Sequence, residues 1–485
     1  MTDQDISEKF NIFYQVLSGT GAKIVLALVG FIGSIYFARV LGPVLFGGVS
    51  LIYALAEWAS HPMYGVGAAT KKRVSESDKK RGVLFGLLII SGAIWTFIIG
   101  VLAVGLEVWI VSLTSLTAAP EYLIGITATT GMFTVLGRLV EGRGKISAYL
   151  WTNAARKTVA VLFQAVLLYI GFGTDGWAAG IVFTSAISLL ILSLYVESEP
   201  RIPNKNDILN VWEFAKYSLI TSTLYAGYSR LDLFLLGSII STSVAGYYQV
   251  AWQITMFGIF VPTVIGNSLM PKISALANKG QWNELLTEVR SGTSFASIIT
   301  IPVLFGALAV GNPLITIIYG SEYTPATNLL VAVALVRVID SQSDSIIAAI
   351  SGLDRPDITL LITLAGIITN ILIGLPALYL IGPVGLVIIS ALSETVRWFG
   401  GVIFLRKKFK GFNPVGKIHA IQIVSGSIMF ILVKLVTDII VIDTIYELFA
   451  TIIFGGSIYT LLIIGLSEQT RILVYRYIPS SKVTE

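Results

Sequence analysis

Apolar residues recur along this chain in runs of about 20, separated by short polar stretches, and each run as a helix reaches across a hydrocarbon core about 30 Å thick. Membrane-spanning strands would alternate apolar and polar positions over roughly 10 residues, and the runs do not. The pattern predicts fourteen transmembrane helices, near 13–37, 45–67, 83–112, 122–140, 148–170, 175–196, 212–236, 245–270, 293–317, 325–345, 358–380, 384–404, 417–437 and 445–466. The third is long enough to tilt or kink. The expected fold class is an all-α polytopic membrane protein.

Basic residues sort by the parity of the loops. KKRVSESDKKR (71–81) follows the second run and RKKFK (406–410) the twelfth. Arg138, Arg143 and Lys145, then Arg201 and Lys205, then Lys272, Lys279 and Arg290 follow the fourth, sixth and eighth. Arg355 follows the tenth, and Arg471, Arg476 and Lys482 the fourteenth. Odd-numbered loops hold Glu121, Asp175, Glu322 and Asp443, with Arg39 almost the only base. Basic loops stay on the cytoplasmic side, so both termini are expected there. MTDQDISEKFNIFYQVL lacks a basic n-region and a cleavage site, so the first helix is expected to act as an uncleaved entry signal.

The runs also repeat. EGRGKISAY (141–149) resembles SGLDRPDIT (351–359), an offset of 210; Gly42 matches Gly237 at 195, and Gly47 matches Gly246 at 199. Six runs recurring in one orientation predict two parallel six-helix bundles, 1–205 and 206–411, related by an axis along the membrane normal. Residues 412–485 add a helix pair and a cytoplasmic tail.

Composition narrows the chemistry. The 485 residues are 55% hydrophobic and 13% charged, about half the charge of an ordinary soluble domain. The net charge of +5 lies in loops and reads as topology, so no nucleic-acid partner is expected. With no cysteine, thiol catalysis and thiolate metal sites are excluded; His61 and His419 are the only histidines, too few for a histidine-based metal site or triad. EGRGKIS (141–147) lacks the spacing and the preceding strand of a phosphate loop.

The ordered set ARVLGPVLFG (38–47), Asp232 to Gly237 to Ala245-Gly246-Tyr247, Met270-Pro271 and IIYGSEYTPA (317–326), laid out as six, six and two helices, resembles the polysaccharide-exporter, O-antigen-flippase-type branch of the multidrug/oligosaccharidyl-lipid/polysaccharide flippase superfamily. The resemblance implies a transporter, not an enzyme, in the cell membrane. It would flip an oligosaccharide on a polyprenyl phosphate or pyrophosphate from the cytoplasmic to the outer leaflet by alternating access of two bundles about a central cavity. It implies no cofactor, drive by H+, Na+ or the membrane potential, a sufficient monomer, contact with membrane lipids, and glycan polymerase or ligase machinery as partners. In some relatives the last two helices form a groove for the lipid tail.

Hydroxyl-rich glycan and phosphate cannot cross hydrocarbon unpaired, and charges within spans rarely face lipid. Lys23, Arg156, Lys157 and Arg337, at mid-depth, are therefore candidates for the lipid phosphate, or else pair structurally. Adjacent residues point different ways on a helix, which weighs against Arg156 and Lys157 acting together. Arg337, Asp340 and Asp344 share one helical face, as do Glu394 and Arg397. Asp340 and Glu394 are candidates for ion coupling, with plain intrahelical ion pairs as the alternative. Glu57 and Glu107 are further candidates for cavity lining, and Lys434 with Asp438 reads as a surface pair. Arg39, before the Gly42-Pro43 turn, and Asp232, at the matching height in the second half, are expected to form an outer gate, or to act separately as an interfacial anchor and a local ion pair. The competing functions are an ion-coupled multidrug exporter and a membrane glycan polymerase or ligase; the very short outer loops leave the latter no place for its chemistry.

Overall fold

The computed structural model describes residues 3–76 and 80–471, and within them the side chains of 3–20, 23, 24, 214, 217, 218, 220, 221 and 225 lie outside the description. Every regular element among the described residues is helical. Helix α1 (Asp3–Glu76) carries the first two apolar runs and is broken at Gly42, whose φ of 71° and ψ of 171° suit only a residue without Cβ. Pro43 then restarts the helix with no amide hydrogen to satisfy. The long third run divides at Leu106 into α2 (Arg81–Gly105) and α3 (Glu107–Thr114). Next come α4 (Ala119–Ile126), a π-helical turn (Thr127–Gly131), α5 (Met132–Gly142), α6 (Ile146–Tyr169) and α7 (Gly173–Leu194).

Then follow α8 (Lys205–Ser229), α9 (Leu231–Leu235), α10 (Thr242–Thr255) and α11 (Phe260–Asn278). Helix α12 (Trp282–Ala296) starts in the polar loop and leads to α13 (Thr300–Tyr319) and α14 (Ala326–Gly352). The remainder is α15 (Pro356–Thr369), α16 (Leu375–Ile381), α17 (Pro383–Lys408), α18 (Lys417–Ile439) and α19 (Ile445–Leu466). Ten helical stretches among the described residues are long and apolar enough to cross a membrane, α1 from Val25 onward counting as a single stretch. Helices α6, α8 and α14, of 24, 25 and 27 residues, have the length but not the apolarity. Two of these three, α6 and α14, carry the mid-span charges of interest. Large apolar side chains such as Leu162, Leu361, Leu372 and Leu461 are exposed, as lipid-facing residues must be. The protein is a multi-pass membrane protein.

The chain forms two compact units, Met1–Gln249 and Val250–Glu485. In the first, Met63, Leu84, Leu88, Phe133, Leu136 and Leu192 form a continuous core. Helix α8 belongs with it: the amide of Leu219 lies where a Cβ on Gly65 would stand, and the Trp58 indole donates to the Thr223 carbonyl at 3.1 Å. Packing thus divides the chain some forty residues later than the repeat does. The two glycine turns, at Gly42–Gly47 and Gly237–Gly246, approach closely in this unit. A Cβ on Gly47 would lie 1.8 Å from the Thr242 carbonyl oxygen, and one on Gly246 would lie 2.4 Å from that of Pro43. Between helices, Lys145 and Arg143 both bind Glu197 and hold its carboxyl down at about 2, well below the usual range.

In the second unit, α11, α12, α14 and α17 share a core around Leu269, Leu285, Ile346, Ile350 and Leu405. Helices α18 and α19 lie against α13 through Ile301, Val310, Met429, Val433 and Tyr459. A buried polar contact fastens them: Ser297 Oγ to Gln422 Oε1 at 2.7 Å, with the Gln422 amide donating to the Ser294 carbonyl at 2.9 Å. His419 Nε2 sits 3.4 Å from Gln342 Oε1, so this histidine joins α18 to α14.

Candidate functional site

Three helices of the first unit turn polar stripes toward one another. On α1, Tyr53, Glu57, Ser60 and Tyr64 follow at intervals of four, three and four, one face of a helix. On α6, Tyr149, Asn153 and Arg156 do the same, and Thr130 and Thr134 come from the π-helical turn and α5. Together they line a cavity of about 200 Å³. The π turn widens the helix where Thr130 must project, and its hydroxyl lies 3.1 Å from that of Ser185 on α7. Such turns often mark functional positions.

Arg156 lines this cavity and is 6% exposed. Its Nη1 donates to Ser185 Oγ at 2.8 Å, its Nη2 and Nε to Asn153 Oδ1 at 3.0 and 3.3 Å, and its guanidinium lies 4.7 Å from the Phe133 ring centre. Each of the three guanidinium nitrogens makes one hydrogen bond, which leaves two N–H donors over, and every partner is neutral. Buried charges are ordinarily paired with an opposite charge, and no carboxylate among the described residues pairs with this one. Lys157 lines the same cavity, with no carboxylate partner among the described residues. The two neighbours on α6 thus line one cavity, one buried and one half-buried. Glu57 also lines it, but it binds Arg230 at 3.1 Å. Glu107 does not; it is exposed on the first turn of α3.

The second unit holds a different arrangement. Arg337 donates to Asp340 at 3.3 Å within α14, and its guanidinium stacks 3.6 Å from the Trp252 ring centre. Arg397 on α17 binds Glu394 at 2.6 Å and lies 4.0 Å from Asp340 and 3.8 Å from Asp344. Arg337, Glu394 and Arg397 are all nearly buried, at 5%, 6% and 3% exposure. Here three carboxylates face two guanidiniums. Asp344, whose side chain is 47% exposed, has only the longer contact. Two nitrogens of Arg337, Nε and Nη2, are buried with no hydrogen-bond partner among the described residues.

The structure thus joins Arg156 with Lys157, and separately Arg337 with Asp340 and Glu394. Lys23 falls on α1, but its side chain lies outside the described residues. Arg39 is exposed three residues before the Gly42 break, and Asp232 on α9 has the Tyr248 hydroxyl at 3.5 Å, longer than a good hydrogen bond. Lys434 and Asp438 form an exposed pair at 3.1 Å. Sequence reasoning singled out the cations but not Asn153, Ser185 and the tyrosines around them. The i, i+4 recurrence of polar residues in apolar helices was the available signal.

The family described as polysaccharide biosynthesis protein matches residues 36–328. The chain is 28% identical over 477 residues to the "Probable flippase AglR" of Haloferax volcanii, covering 95% of this chain and 97% of that one. It is 24% identical over 452 residues to the same organism's "Probable low-salt glycan biosynthesis flippase Agl15", covering 89% and 91%. Among solved structures, the lipid II flippase MurJ in an inward closed conformation superposes with a TM-score of 0.73 at 16% identity, over 94% of this chain and 99% of that one. An inward-facing multidrug resistance MATE transporter gives 0.63 at 14% identity, over 79% and 94%.

Proposed function

The chain belongs to the polysaccharide biosynthesis protein family, and from that premise we propose that it flips a lipid-linked oligosaccharide from the cytoplasmic to the outer leaflet of the cell membrane. Its full-length similarity to two proteins named as flippases supports this reading. The observation that carries it is Arg156: a buried guanidinium, beside Lys157, in a polar cavity of a membrane protein, with neutral partners only. The missing counter-charge is the substrate's phosphate or pyrophosphate. A guanidinium grips such an oxyanion with two parallel hydrogen bonds, and it does so better where water is scarce. The tyrosines, threonines and Asn153 offer hydrogen bonds to sugar hydroxyls that would otherwise be stripped of water.

In this reading the chain crosses the membrane fourteen times, with both termini in the cytoplasm. Residues 1–205 and 206–411 are parallel repeats, and 412–485 is an addition. Transport is by alternating access and is coupled to H+, Na+ or the membrane potential through the cluster of Asp340, Asp344, Glu394 and the two arginines. Arg39 and Asp232 form the outer gate. Reversing either charge is expected to abolish transport and reversing both to restore it; a double variant as inactive as the single ones would remove the gate.

Cells lacking the protein test the function. A lipid-linked oligosaccharide is expected to accumulate on the cytoplasmic face, with surface glycan lost and drug sensitivity unchanged. Raised drug sensitivity with normal glycan would favour a multidrug exporter. Precursor that reaches the outer face but is joined no further would favour a polymerase or ligase.

A further inference from the structure

Arg156 borders two spaces, not one. Inside the first unit it lines the polar cavity, and outside it lines an apolar groove of about 520 Å³ between α6 and α7, one turn from the Thr152 end. The groove runs on α6 from Thr152 to Val166, fourteen residues or about 21 Å. Val159, Leu162 and Phe183 line it and are 54%, 63% and 55% exposed, so its long side is open. The seam is tight at the far end, where a Cβ on Gly180 would meet Gln164 Cγ at 2.3 Å and the Gln164 amide donates to the Trp177 carbonyl at 2.8 Å. At the Arg156 end it is closed by one side-chain hydrogen bond, from the guanidinium to Ser185.

Resting on the flippase reading, we infer that the α6–α7 seam is where the lipid-linked substrate straddles the wall of the bundle, its polyprenyl tail in the apolar groove, its phosphate on Arg156 and its glycan in the polar cavity. Depth separates this substrate from ordinary membrane lipid. Arg156 lies ten residues beyond the start of α6 at Ile146, about 15 Å along the helix, whereas a resident phospholipid keeps its phosphate at the interface of a core about 30 Å thick. A phosphate at Arg156 belongs to a lipid in transit. Among the described residues the guanidinium has no carboxylate to surrender on receiving it, and at its end of the seam the hydrogen bond to Ser185 is what must give way.

The purified full chain in detergent, titrated with a long-chain polyprenyl phosphate, tests this. Val159→Trp and Ile187→Trp, which fill the groove from its exposed side, should weaken binding at least tenfold. Both should leave binding of a single-isoprene phosphate unchanged. Leu361→Trp and Leu372→Trp, on lipid-facing positions of the other unit, should bind as wild type does. Arg156→Gln should bind polyprenyl phosphate no better than the uncharged polyprenol. Wild-type affinity in the groove-filled variants, or equal losses in the Leu361 and Leu372 variants, would overturn the groove. Equal competition by phosphatidylglycerol would overturn its assignment to the substrate. A wild-type chain that binds no long-chain polyprenyl phosphate would instead overturn the flippase reading beneath it.

Discussion

Two buried arginines show two ways of keeping a charge inside a membrane protein. Arg397 is neutralised on the spot by Glu394 and steadied by Asp340 and Asp344. Arg156 is only solvated, by Ser185, Asn153 and an aromatic face. The first arrangement is costly to break from one side, because the buried Glu394 loses the guanidinium that binds it. Arg397→Gln is expected to cost about 3–5 kcal/mol of stability, read as a large drop in thermal midpoint. Asp344→Asn replaces the half-exposed carboxyl, the one with the loosest contact; it should leave the midpoint near wild type while abolishing gradient-driven transport. Unchanged transport in that variant would remove the coupling assignment. The sequence pointed to these charges because ionisable residues inside apolar runs stand out. Which ones meet was hidden, since that depends on helix rotation: the i, i+3 spacing of Arg337 and Asp340 was visible, but not that Arg397 reaches across from α17.

The helices themselves follow from the apolar pattern, and their breaks from local chemistry. Gly42-Pro43 was legible as a turn, and the third run was long enough to invite the break found at Leu106. The close approach behind the glycines was not legible. Gly47 and Gly246 are small because the two turns press together, backbone on backbone, within one unit. Gly47→Ala would place a methyl 1.8 Å from the Thr242 carbonyl, so α1 and α10 must separate. Overpacking of this kind costs about 1–3 kcal/mol, and the variant should unfold at lower temperature. Gly456→Ala on α19, which meets open space, should not. The π turn at Thr127–Gly131 left no mark in the apolar period, and it is what directs Thr130 to Ser185.

At the scale of the molecule, the resemblance of 141–149 to 351–359 leads to an expected boundary at 205, while the packing of α8 against α1 carries the first unit on to Gln249. The two boundaries differ because α8 meets α1 through contacts such as Gly65 on Leu219, which no repeat alignment reveals. The account rests on movement of a charged, hydroxyl-rich head group across the membrane, with Arg156 as the group that receives it. The most direct measurement reconstitutes the pure chain into liposomes holding a polyprenyl-pyrophosphate oligosaccharide and follows the appearance of its glycan on the far leaflet. The account predicts flipping well above protein-free liposomes for the wild type and none above that background for Arg156→Gln. A wild-type rate equal to the protein-free one, or an Arg156→Gln rate equal to wild type, would contradict it.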